Sequence, residues 1–177
     1  MGTLVKIVPY DSGWPSVYSA AQHRLEIILK GMFDNIEHVG STAVHNLFAK
    51  PYVDIDVVLK HLDFMQDSRA RMEAAGFEPR GSRHGDGVFA FMVGAVTAPD
   101  PLPGLRVYLC PPDSATHHDR VRFRNILRQN PALANDYATL KMTLAKQYED
   151  NGDAYTAAKS DFIRKALHST TSPVSAQ

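Results

Sequence analysis

Cysteine and unbalanced charge are what this sequence has least of. A single cysteine, Cys110, in 177 residues excludes an intramolecular disulfide and a cysteine-cluster metal motif. Nineteen basic residues balance nineteen acidic ones, so the positive excess that indiscriminate nucleic-acid or membrane-surface binding requires is missing. A local basic pocket stays compatible with that balance. No run approaches the roughly 18 consecutive apolar residues of a membrane span. The opening MGTLVKIVPYDSGW has no apolar signal-peptide core, and Lys6 stands where a myristoylation signal takes Ser or Thr. A cytoplasmic setting is the expectation. With 44% hydrophobic and 21% charged residues, the composition is that of a globular protein able to bury a core.

Periodicity divides the chain into a mixed half and a helical half. Residues 4–8 suit a short edge strand. Pro15 suits the first turn of a helix, which Val17, Tyr18, Ala21, Leu25, Ile28, Leu29 and Met32 continue at helical spacing. Strands are expected over 36–39, 52–59, 77–80, 88–96 and 105–110, with a helix over 62–75 ended by Gly76. After Pro111-Pro112 come three helices: from Ser114 or Thr116 to about 129, from Asn130-Pro131 through Tyr148, and from Asp153 through Leu167. The expected division is a core over 1–112, a helical part packed on it over 113–168, and a disordered tail over 169–177.

The stretch YVDIDVVL, 52–59, places two carboxylates in an apolar strand. Alternate residues share a face, so Asp54 and Asp56 project together while Val53, Ile55 and Val57 face the other way. Two carboxylates on one face raise each other's pKa unless a cation intervenes, and burying them unpaired is costly. Mg²⁺ held by one or two carboxylates plus substrate phosphates removes that cost; pairing with Lys or Arg at an exposed strand end is the plainer alternative. Upstream, Gly40 permits a tight turn, and Ser41 and Thr42 offer hydroxyl and N–H donors at a helix start, an anion-binding arrangement.

Glu37-His38-Val39-Gly40-Ser41-Thr42-Ala43-Val44, followed by Ala49-Lys50-Pro51 and Asp54-Ile55-Asp56-Val57, closely resembles the GrpB family, which belongs by similarity to the polymerase-β-like nucleotidyltransferases. Pro9-Tyr10-Asp11, Trp14-Pro15, Phe123-Arg124-Asn125, Leu127-Arg128, Tyr137, Leu140-Lys141, Tyr155 and Lys159 extend the resemblance over nearly the whole chain. The resemblance implies an α+β fold: a nucleotidyltransferase-like mixed β-sheet flanked by helices, with a C-terminal helical layer. It also implies that Gly40 and Ser41 hold nucleotide phosphates and that Asp54 and Asp56 hold Mg²⁺ as catalytic residues. The implied reaction is transfer of a nucleotide from a nucleoside triphosphate to a small-molecule acceptor. Two other roles stay open: a nucleotide or metabolite binder without catalysis, and an accessory module for a coenzyme A-pathway enzyme.

The pattern departs from the family near the expected pocket. The strand that would carry a third carboxylate, LRVYLC, contains no acid; Arg106 and Tyr108 stand where the family commonly has histidines. His45-Asn46 replace the usual Pro-Gly. Asp86, Asp100 and Asp113 are loop acids, more simply read as solvated. Arg106 suits bidentate recognition of phosphate or snorkels to solvent. Arg120, Arg124 and Arg128 line one helix face, read as a solvated basic face, or with Arg124 or Arg128 reaching phosphate. Lys50, Lys141 and Lys159 are candidate point-charge phosphate binders. His117-His118, being neighbours, do not face the same way on a helix, so no metal is expected between them. His38 borders the turn, His84 reads as a turn residue, and Cys110 has no histidine nearby in sequence.

Overall fold

The computed structural model describes residues 5–82, 85–93 and 103–169. Leu4, His84, Asp100, the end of the strand expected over 88–96 and the tail from 170 lie outside them. In chain order the elements are α1 (Trp14–Ile28), β1 (Phe33–Val39), a 3-10 turn (Ser41–Ala43), β2 (Tyr52–Leu59), α2 (Phe64–Ala74), β3 (Glu78–Ser82), β4 (Phe89–Val93), β5 (Gly104–Cys110), α3 (Ala115–Gln129), α4 (Pro131–Gln147), α5 (Gly152–Ala158) and α6 (Ser160–Ser169). The strands form one mixed sheet in the order β1-β2-β5-β4-β3. β2 and β5 run parallel, and the other pairings are antiparallel. The expected α+β class is what the chain adopts.

The period-2 pattern of β2 sets the layers. Val53, Ile55, Val57 and Leu59 point into a core with Leu25 and Leu29 of α1, Met72 of α2, Phe77, Phe91, Val107 and Leu109. Side chains of this size each contribute about 1.5–3 kcal/mol when fully buried, so this face fixes the strand's register. Asp54 and Asp56 are thereby turned to the opposite face, beneath the C-terminal helices.

Those helices are capped by their own sequence. Ser114 Oγ accepts the His117 N–H at 3.1 Å, and Asp86 accepts from the Ser114 hydroxyl at 2.7 Å and the Thr116 N–H at 2.9 Å. Asn130 and Asn151 cap α4 and α5 through their side-chain oxygens, and Pro131 fills the first helical position of α4. Val44 and Leu47, in the loop after β1, pack against Leu127, Ala134, Tyr137 and Ala138. That cluster fastens the helical layer over the Asp face.

Two expected elements differ. The edge strand at 4–8 reduces to one bridge between Val8 and Ala49, because Val5 packs with Leu144 and Tyr155 and its N–H bonds the Glu149 carbonyl. The last helix divides into α5 and α6 around Lys159, whose carbonyl accepts from the Ile163 N–H.

Candidate functional site

The turn after β1 is built against Asp54. Gly40 has φ +72°, and a Cβ there would lie 2.6 Å from Asp54 Oδ2 and 3.1 Å from its Cβ. Only glycine fits, for conformation and for space. Thr42 is buried and ties the turn to both flanking strands: its hydroxyl meets His38 Nε2 at 3.0 Å and donates to the Tyr52 carbonyl at 3.1 Å. Lys141, reaching in from α4, donates to Ser41 Oγ at 3.0 Å and also to the Phe48 carbonyl. It is 2% exposed, and burial, with Lys159 nearby, lowers its pKa to about 7. Lys141 thus braces the Gly-Ser loop.

Around Asp54 the surplus charge is positive. Arg106 lies opposite it on β5, its guanidinium 3.9 Å over the Tyr52 ring. Lys50 and Lys159 each lie 4.3 Å from the centre of the Tyr155 ring. Burial, then Arg106, lowers Lys50 to about 8. Burial, then Lys50, does the same to Lys159, against the pull of Asp54. Asp54 itself is shifted upward, first by burial and also by Asp56, with Arg106 and Arg120 opposing. The Tyr108 hydroxyl donates to its Oδ1 at 3.3 Å. Cations from three separate elements therefore surround one carboxylate, an arrangement suited to a polyanion.

Asp56 has a different neighbourhood. It is fully buried; Oδ1 accepts from Arg120 at 2.7 Å, and Oδ2 lies 3.1 Å from His117 Nδ1. Arg120 also stacks 3.9 Å over the Tyr108 ring. Arg120 holds Oδ1 of Asp56 and His117 stands at Oδ2, so Asp56 faces α3 side chains where Asp54 faces the cations. A Mg²⁺ ion bridging the pair does not fit this donor set. The plainer expectation, Asp paired with Arg, describes Asp56, although the pair is buried instead of exposed.

The structure thus brings together Gly40, Ser41, Lys50, Asp54, Arg106, Lys141 and Lys159. It places Arg124 elsewhere: Nη1 binds Glu37 at 2.6 Å and the His38 carbonyl at 2.7 Å. Arg128 donates twice to the Ala43 carbonyl. The basic face of α3 clamps the helix to β1 and the turn, with Arg124 buried and Arg128 bound to the turn while still exposed to solvent. His38 stacks on Tyr18 at 4.8 Å, and burial, then Arg128, lowers its pKa to about 4. Asp86 caps α3, where burial opposes ionisation but hydrogen bonds from Thr116 and Ser114 lower its pKa to about 2. Asp113 is exposed. Sequence reasoning did not single out Arg120, His117 or Tyr155 for the site. The 3.6-residue spacing that put Arg120 beside Arg124 carried the signal of a shared face but not of its direction.

A family model described as GrpB protein matches residues 4–169. The UPF0157 protein YqkA of Bacillus subtilis (strain 168) is 26% identical over 162 residues, covering 92% of this chain; the chain spans 46% of YqkA's length. The crystal structure of conserved protein GrpB from Enterococcus faecalis matches with a TM-score of 0.80 at 28% identity, over 94% of this chain and 100% of that one. The Cid1 poly(U) polymerase with Mg 3′-dATP bound matches with a TM-score of 0.57 at 13% identity, over 85% of this chain and 49% of Cid1. At that identity the likeness is one of fold, and the fold is nucleotidyltransferase-like. Among the described residues no helix is long and apolar enough to cross a membrane.

Proposed function

We propose that this chain, which belongs to the GrpB family, binds a nucleoside triphosphate through its phosphates at Lys50, Arg106 and Lys159 beside Asp54. The supporting observation is the convergence of these three cations on one carboxylate next to the Gly40-Ser41 turn. Phosphate oxygens supply the negative charge that this half-buried cluster lacks. Arg106 offers a planar fork and the lysines offer point charges. Gly40 lets the backbone approach closely, and Lys141 holds the loop in place through Ser41. Mg²⁺ arriving with the triphosphate would meet Asp54 as its protein carboxylate.

Transfer of the nucleotide to a small-molecule acceptor is the second reading, favoured by the nucleotidyltransferase-like fold. Against it stands the engagement of Asp56 by Arg120 and His117. Titration calorimetry with a panel of nucleoside triphosphates, with Mg²⁺ and with a chelator, tests the binding. Pyrophosphate release in the presence of candidate acceptors separates transfer from binding alone. Loss of binding in Lys50→Ala/Lys159→Ala supports the cleft; equal binding by wild type and variant refutes it.

A further inference from the structure

We infer that Asp56, Cys110 and His117 form a zinc-binding site behind the phosphate cleft, independent of the nucleotide reading. Asp56 Oδ2, Cys110 Sγ and His117 Nδ1 come from β2, β5 and the first turn of α3, and all lie within 4.8 Å of one another. Their residues are 0%, 0% and 8% exposed. Carboxylate oxygen, thiolate sulfur and imidazole nitrogen are all ordinary zinc ligands, and the sulfur and nitrogen select zinc over Mg²⁺.

The distances suit this ion. Tetrahedral zinc with O and N bonds of about 2.0 Å spaces those two ligands about 3.3 Å apart. The present separation of Oδ2 and Nδ1 is 3.1 Å. With a Zn–S bond of about 2.3 Å, sulfur lies about 3.6 Å from each of the others, so closing the site needs Cys110 to approach by at most about 1 Å. The thiol's present partners, the Tyr108 carbonyl at 3.7 Å and the Ser114 side chain, are held by weak sulfur hydrogen bonds.

The rest of the neighbourhood is arranged as an outer shell. Arg120 keeps Oδ1 of Asp56 and fixes the plane of its carboxylate, as the outer partners of metal ligands do. His117 also lines an open depression of about 390 Å³ on α3, with His118, Val121 and Asn125, which gives the ion a route in. Zinc binds through the Nδ1 lone pair of the imidazole, whose ring proton is then carried on Nε2. The thiol proton leaves to solvent as the Zn–S bond forms. No redox partner is required.

Cobalt(II) and zinc titrations of the full chain, stripped with a chelator and kept reduced, test the site. One equivalent of cobalt is expected to bind with a thiolate-to-metal charge-transfer band that zinc then displaces. Zinc uptake in weak buffer is expected to release about one proton per ion. Cys110→Ser removes the band, and His117→Gln weakens zinc by at least the roughly 10–100-fold that losing an outer partner costs. Asp54→Asn leaves zinc binding unchanged while disturbing the phosphate cleft, so the two sites fail separately. Thermal melts establish that each variant folds, and the proton count needs only wild type. No stoichiometric uptake, a band that survives Cys110→Ser, zinc affinity unchanged by His117→Gln, or no proton release overturns the site.

Discussion

Asp54 and Asp56 sit two residues apart on one strand and point to the same face, yet their surroundings differ. Asp54 lies among Lys50, Arg106 and Lys159, which outnumber it. Asp56 is sealed beneath α3 with both oxygens engaged. The parallel neighbour β5 causes part of the difference, since it sets Arg106 opposite Asp54 and Tyr108 opposite Asp56. The first turns of α3 cause the rest by delivering His117 and Arg120. A shared motif on a shared face thus becomes one acid set among cations and one held by Arg120 and His117.

The largest effect expected from breaking this contrast is at Asp56. Asp56→Ala removes the fully buried carboxylate that Arg120 and His117 share, and breaking such a buried pair costs about 3–5 kcal/mol in urea denaturation. Asp54→Asn removes a carboxylate that folding already disfavours, and is expected to change stability by about 1 kcal/mol or less. Equal losses at the two positions would erase the distinction. Arg124→Ala breaks the pair with Glu37 and the bond to the His38 carbonyl. Because Glu37 is only partly buried, about 2–3 kcal/mol is expected, with triphosphate affinity at 25 °C unchanged.

How much of this was readable in the sequence follows the same division. β2, its two faces and the Gly40 turn were readable because period 2 and glycine's conformational range are local properties. Lys141 and Lys159 were placed near the cleft by helical phase and the family resemblance. The partners of Asp56 were not readable: His117 and Arg120 are 61 and 64 residues away in sequence. Their helix shows the same spacing whether that face meets solvent or a buried acid. The directions of Arg124 and Arg128 were hidden for the same reason. Residues 4–8 read as a strand because apolar alternation does not say whether a sheet edge or a helical cluster receives the side chains.

Smaller effects sharpen the Asp54 side. Gly40→Ala forces a side chain against Asp54 at positive φ and is expected to cost about 1–3 kcal/mol, with a lower melting temperature as the readout. Arg106→Ala is expected to weaken triphosphate binding about 10-fold, or about 1.4 kcal/mol. The pH dependence follows from Lys50 and Lys159, both near 8 in the free protein. Phosphate favours their charged forms and raises both pKa values, so binding takes up protons near pH 8. Affinity is therefore greatest below pH 8 and falls as pH rises through 8 towards 9. A flat profile from 7 to 9 would show that these lysines do not meet the ligand.

The most direct test of the phosphate cleft is calorimetric titration of wild type and Lys50→Ala/Lys159→Ala with a nucleoside triphosphate, in Mg²⁺ and in chelator, at pH 7. The prediction is saturable binding by wild type and a loss on the order of 100-fold in the double variant, two charge contacts at about 1.4 kcal/mol each. Undiminished binding by the double variant, or no binding by wild type under either condition, would contradict it.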